Sequence, residues 1–390
     1  MLLAIPLAWL QLKREKLRLL IALSGAAFAV ILIFMQLGFR DALFNSSVRY
    51  HSNLAYDIAM ISPKTDFIVQ PENFPRRRLV QALGVPGVES ISPVYLGQGR
   101  WRNPEQPTET RGIYVVGFDP SDPVLELPGV LNNLEKLRMP DVLLYDRDSR
   151  PEFGPMPALF EAAIAEGREG IETEVANRTI KVVGLFQLGT SFGIDASVVT
   201  SDLNFRRIFP FREAGQINLG LIRIEPGADP DVLRDRIAAA IPEDVEVLTR
   251  AGFIQREIDY WSSATPIGYI FSFGVVIGLT VGGIIVYQIL FADVSDHMQE
   301  YATLKAMGYT NGYLFRVVLQ EAVILAVLGF LPGLGVSLLL FNVAGEATHL
   351  PLEMNASLGF FVFGLTVIMC AASGSIALRK VRSADPADVF

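Results

Sequence analysis

Four stretches of the chain carry no charged residue: 19–39, 260–292, 322–345 and 354–378. They are 21, 33, 24 and 25 residues long, and about 20 helical residues cross the hydrocarbon of a bilayer. Backbone groups in lipid must pair within their own segment, so each stretch reads as a transmembrane helix. The second is long enough to extend beyond the bilayer. Between the first two stretches the period shortens. Residues 56–61 and 218–224 alternate like strands; 88–95, 177–186, 197–200 and 245–248 read as extended, with Pro93 marking an edge or bend. Gly112-Ile-Tyr-Val-Val-Gly-Phe118 reads as a buried strand. Helical spacing appears at 76–83, 158–166 and 231–240, the last opened by Asp229-Pro230, an N-cap followed by proline at the first helical position. Strand–helix–strand therefore occurs twice, at 56–95 and 218–248. This predicts one α+β lobe from 40–118 and 216–259, with a second lobe, 119–215, inserted into it.

Charge sharpens the division. Hydrophobic residues make up 51% of the 390 and charged ones only 19%, against about 25% charged in soluble chains. Residues 41–260 hold 23 basic and 32 acidic side chains, net −9, which leaves only 19 charged side chains, net +1, in the other 170 residues. An acidic soluble domain thus sits in an otherwise membrane-embedded chain. No nucleic-acid partner is expected, since that would need a basic face. Lys13, Arg14, Lys16 and Arg18 precede the first span, and Arg379, Lys380 and Arg382 follow the fourth. The bias of basic residues toward the cytoplasm then puts both termini inside a plasma (inner) membrane, and 40–259 outside. The resulting plan is a cytoplasmic amphipathic helix at 1–18, spans at 19–39, 260–292 (with a stalk), 317–345 and 354–378, an inner loop at 293–316, a short outer turn at 346–353, and a tail at 379–390. A cleaved signal peptide fits the first span poorly, because its apolar run exceeds the usual 7–15 residues.

Catalytic chemistry is scarce. Cys370 is the sole cysteine, so no intrachain disulfide forms, and His51, His297 and His349 fall in three separate segments. The acidic groups Asp141/Asp146/Asp148 and Glu166/Glu169/Glu172/Glu174 read as solvated surface, and no metal site is expected. No G-x-S-x-G elbow is present. The uncharged runs offer no residue for a proton or ion path; Glu321 stands at the edge of the third.

Phe253, Ile254, Ile258 and Trp261 fall at helical spacing, which predicts a helix over 250–263 running into the second span as a lever, with Tyr260, Trp261 and Tyr269 as interfacial aromatics. Gly274, Gly278 and Gly282 recur every four residues, a spacing that permits close helix approach and hints at dimer packing. In the inner loop, 293–307 reads as a helix ended by Gly308.

Glu300-Tyr-Ala-Thr-Leu-Lys-Ala-Met-Gly308, followed by Leu319-Gln-Glu321, resembles the E-x-x-x-L-K-A-x-G…E signature of the MacB/FtsX-type ABC transporter permeases. The tail, Lys380 to Phe390 with its Asp-Pro-Ala, resembles the family's basic end. Ile91-Ser-Pro-Val-Tyr and Val116-Gly-Phe-Asp-Pro resemble the cyanobacterial DevC exporter branch in particular. The resemblance spans the whole chain. It implies a membrane protein with four transmembrane helices and a large α+β extracytoplasmic domain between the first and second, a MacB-like periplasmic core with porter and sabre lobes. It further implies a homodimer that binds a separate ABC ATPase subunit, a periplasmic adaptor (membrane fusion protein) and an outer-membrane TolC-like channel. By position, Glu300, Thr303, Leu304, Lys305, Ala306, Met307 and Gly308 match the ATPase-contacting segment, and Glu321 the glutamate of the next span.

MacB itself carries its ATPase in the same chain, whereas no G-x-x-x-x-G-K-[ST] loop occurs here. The expectation is therefore a non-enzymatic permease subunit with no cofactor of its own, ATP and Mg being held by the partner ATPase, that drives export of a glycolipid or other amphiphile. The alternatives are a lipoprotein-extracting or FtsX-like regulatory permease and, in a different class, a membrane sensor.

Overall fold

A computed structural model describes residues 16–348 and 350–378. The basic tail, and all but residues 16–18 of the expected N-terminal amphipathic helix, lie outside the described residues. The chain divides into two compact units, one ending at Ala42 and resuming at Pro266, the other Leu43–Thr265.

The Leu43–Thr265 unit is built on eleven strands: β1 (Ile58–Ile61), β2 (Phe74–Pro75), β3 (Val88–Arg102), β4 (Thr110–Phe118), β5 (Val142–Asp146), β6 (Ile171–Val175), β7 (Arg178–Phe186), β8 (Ser197–Ser201), β9 (Gln216–Ile217), β10 (Leu219–Ile224) and β11 (Glu246–Thr249). Nine of them form one sheet in the order β11-β1-β10-β3-β4-β8-β5-β7-β6, and β2 pairs with β9. The first four strands in that order are antiparallel. Helix Arg76–Ala82 joins β1 to β3, and helix Pro230–Ala240 joins β10 to β11, which is the split βαβ arrangement. The Asp229 side chain caps the second helix by accepting from the Asp231 and Val232 N–H groups. All four residues of β1 are buried. Ile58 and Met60 pack with Leu79, Leu233 and Ile237 of the two helices, while Ala59 and Ile61 pack on the opposite face with Tyr50 and Phe253. Burial on both faces explains a strand of continuous apolar residues.

The lobe boundary differs from the expected break at 118. β3 is one strand of 15 residues. Its first half pairs with β10, its second half with β4, and Trp101 and Arg102 pair with β6. The ring β3-β4-β8-β5-β7-β6 thereby closes, so β4 belongs with the insert and β3 is common to both parts. The indole of Trp101, buried inside, donates to the Phe153 carbonyl at 3.0 Å.

The other unit holds four helices long and apolar enough to cross a membrane, over Leu19–Ser47, Pro266–Asp296, Asn311–Thr348 and Ala356–Ala377. The first helix runs eight residues past the expected end at 39, and at that point Arg40 hydrogen-bonds Asp41, the first acidic residue, at 2.8 Å. The third begins six residues before 317 and accommodates Pro332. The fourth begins two residues after 354.

The expected continuous lever is broken. Helix Arg250–Asp259, capped by Thr249, passes into one widened turn at Tyr260–Ala264, and Thr265 is extended at φ −117°, ψ 156°. The ring of Pro266 disfavours helical backbone at the residue before it, so the second span starts at Pro266, six residues later than expected.

Candidate functional site

The loop between the second and third spans contains one short helix, Met298–Ala306, separated from the preceding span by His297 at φ −92°, ψ 16°. The helix predicted over 293–307 is therefore two. Asp293 and Asp296 belong to the second span. Tyr301 and Ala302 are buried, and Tyr301 anchors the short helix against Val294, Leu314, Val318 and Leu378. Glu300, Thr303, Ala306, Met307 and Gly308 form the exposed side, and Met307 has 64% of its surface free. Leu304 and Lys305 are half-buried, and Leu304 packs on the Tyr301 cluster.

The helix ends as the glycine predicts. Gly308 has φ +94°, its N–H reaches the Lys305 carbonyl at 3.0 Å, and the Tyr309 N–H reaches the Leu304 carbonyl at 3.1 Å. This paired closure fixes the direction in which Met307 projects.

Glu321 is not part of that surface. It is fully buried in the third span and faces Asp293 at the end of the second. The Asp293 carboxylate lies 3.6 Å from Nδ1 of His297. Three polar side chains thus come together where the second span gives way to the loop, a grouping the sequence reading missed. The signal was available, since Asp293 follows one uncharged run and Glu321 precedes the next. Among the described residues no group of His, Cys, Asp or Glu could hold a metal ion.

Gly274, Gly278 and Gly282, named for dimer packing, lie within one chain where the second span meets the first. A Cβ at Gly274 would meet Gln36, at Gly278 Ile33 at 3.3 Å, and at Gly282 Ala29 and Met369. All three glycines let the second span approach the first within one chain. Gly329 and Gly333 of the third span do the same against Ala26 and Val30.

In the α+β unit, Asp146 is also not the surface residue expected of its cluster. It ends β5 fully buried, accepting from the Leu188 N–H at 3.1 Å, the Gly189 N–H at 2.8 Å and the Ser197 hydroxyl at 3.2 Å. Burial raises its carboxyl pKa despite those donors. Its role is to tie the 187–189 segment to the sheet.

A sequence family described as the MacB-like periplasmic core domain matches residues 19–240, more than half of the chain. The FtsX-like permease C-terminal family matches residues 272–386. The chain belongs to the MacB/FtsX-type permeases. A curated relative, the macrolide export ATP-binding/permease protein MacB 2 of Aeromonas hydrophila subsp. hydrophila, is 24% identical over 338 residues, covering 81% of this chain and 48% of that protein. The macrolide export ATP-binding/permease protein MacB of Vibrio parahaemolyticus is 28% identical over 118 residues, 30% of this chain and 18% of that protein. The chain spans about half the length, or less, of these relatives. Among solved structures, the periplasmic region of MacB from Actinobacillus actinomycetemcomitans covers 52% of this chain and 94% of its own, at 7% identity and a TM-score of 0.35. This MacB/FtsX-type permease is accordingly a multi-pass membrane protein with an α+β core domain between its first and second spans.

Proposed function

We propose that the chain is the permease subunit of a tripartite ABC exporter, a homodimer that takes ATP-driven motion from a separate cytoplasmic ATPase and delivers it to its α+β domain, an adaptor and a TolC-like channel. Both termini would face the cytoplasm, and the DevC likeness would make the cargo a glycolipid or another amphiphile. The observation that carries this reading is the loop helix itself, whose buried Tyr301 side is anchored among the spans while Met307 projects from a rigid cap. A surface so placed can be pushed without unfolding. The break at Thr265 makes the outer transmission a hinge rather than a stiff rod.

The test is Met307→Asp, measured as stimulation of the co-purified ATPase by the permease in lipid. Stimulation is expected to be lost while the unfolding midpoint of the permease stays put; full stimulation refutes the reading. Leu304 is the poorer probe, because a charge there would also enter the Tyr301 cluster.

A further inference from the structure

His51 and Glu257 form a buried pair that the exporter reading does not use. His51 lies in the helical turn Arg49–Asn53, directly after the helix of the first span, and Glu257 in helix Arg250–Asp259, directly before the second. Both are essentially without solvent exposure, with Nε2 3.6 Å from a Glu257 carboxylate oxygen. Neither ring nitrogen of His51 has a hydrogen-bond partner among the described residues, and the ring lies 4.3 Å from that of Phe253. The Glu257 carboxylate also accepts from the Ile68 N–H at 3.0 Å and from the Trp261 indole N–H at 2.9 Å. One carboxylate thus joins both segments that lead into the membrane to the loop after β1.

We propose that His51 and Glu257 constitute a proton-binding site, in which uptake of a single proton neutralises the buried carboxylate and tightens the junction between these segments. The proton lands on the Glu257 oxygen nearer His51, whose O–H then donates to Nε2 and leaves the ring proton on Nδ1. Without it, the neutral ring faces, across 3.6 Å, a carboxylate whose charge is compensated only in part.

The surroundings leave that charge little help. Arg256, on the same helix, is committed to Glu246 at 2.8 Å and to the Thr65 carbonyl at 2.6 Å. From the neighbouring elements Tyr114 faces Glu257, Tyr50 packs edge-on against Tyr114 and Tyr56 against Phe253, and burial raises the pKa of all three phenols, so they stay neutral. Arg212 lies beyond Tyr114 and is held by Asn218 at 2.8 Å. Desolvation accordingly lifts the Glu257 carboxyl to about 7, against the donors Trp261 and Ile68 and against Arg256, and lowers the His51 imidazolium to about 3. The proton that comes and goes near neutral pH is therefore the one on Glu257.

Trp261 makes the site observable. The indole and imidazole 15N–1H resonances of the full chain in nanodiscs are followed between about pH 5.5 and 8.5, with Trp261→Phe and His51→Gln giving the assignments. The Trp261 indole proton should shift with a midpoint near about 7, and Nε2 of His51 should move with the same midpoint while the ring stays neutral. The Trp101 indole, bonded to a backbone carbonyl, should stay fixed. Glu257→Gln should abolish both movements while the Trp101 signal stays dispersed, showing the domain folded. A pH-independent Trp261 signal overturns the proposal, as does a titration that survives in Glu257→Gln, or an imidazolium at His51 within this range. ATPase stimulation is not read at all, so failure here leaves the Met307 test untouched.

Discussion

Gly282→Ala tests how the membrane bundle is assembled. The added Cβ would overlap Cβ of Ala29 and come within 2.8 Å of Sδ of Met369, whereas carbon contacts settle at about 3.5–4.0 Å. The second span must therefore back away from the first by about an ångström or more, or Met369 must leave its place. Overpacking of this kind costs about 1–3 kcal/mol, while Gly→Ala in a helix otherwise gains up to about 1 kcal/mol. A net loss of about 1–2 kcal/mol follows, roughly a 5- to 30-fold fall in the folded-to-unfolded ratio. The matched control is Gly364→Ala in the fourth span, where nothing lies within 4 Å of the new Cβ; it should be neutral or slightly stabilising. The assay is denaturant unfolding in detergent micelles, repeated over a wide range of protein-to-detergent ratios. The Gly282→Ala midpoint should fall by the same amount at every ratio, because both partners belong to one chain. If the midpoint is unchanged and only self-association weakens, the glycines serve an interface between copies and the intrachain packing argued here is wrong.

Two further outcomes can be checked. Gly308→Ala puts a Cβ on a residue at φ +94° with no steric neighbour, so only backbone strain acts, about 1–2 kcal/mol; faster hydrogen exchange confined to the end of the Met298–Ala306 helix is expected, and unchanged protection refutes it. The pH dependence of the α+β domain is set in part by its buried pair. Glu257, raised from 4.5 to about 7, contributes stability that is complete below about 4.5 and lost as pH rises through about 7, while His51, lowered from 6.5 to about 3, contributes stability present above 6.5 and lost as pH falls through about 3. The two oppose each other between 4.5 and 6.5. Above that window Glu257 acts alone, so unfolding midpoints should decline from about pH 6.5 to 7.5 in the wild type and less steeply in Glu257→Gln; parallel declines would show that other groups dominate.

The four spans were legible because an uncharged run of sufficient length has few other uses. The two strand–helix–strand units were legible by period and by the Asp229-Pro230 cap. Strand order was not, since β1 pairs with β10 and β11, and pairing across so much chain leaves no local trace. The strand Val142–Asp146 is masked in the sequence by the carboxylates that bound it, which read as surface charges although Asp146 is buried and accepts three N–H groups. The absence of charge across 260–292 hides the effect of Pro266 on Thr265, where the helix breaks. Glycine spacing announced close approach without naming the neighbour, and that neighbour was the same chain. In the loop, the helix end at Gly308 followed from residue type, whereas burial of Glu321 against Asp293 depends on how separate spans meet.

One consequence of β3 concerns how such a protein can be divided or rebuilt. A 15-residue strand is about 50 Å long, and here it is a single ribbon shared by the split βαβ sheet and the closed ring. Excising the ring would leave half of this strand with its hydrogen-bonding edge bare, so the inserted part cannot be exchanged as a cassette at the point where it seems to begin. A graft from a relative would have to carry β3 whole, in register with β4 on one edge and with β10 and then β6 on the other. The hairpin tip between β3 and β4, which interrupts neither pairing, is where foreign sequence could be spliced in without disturbing either half.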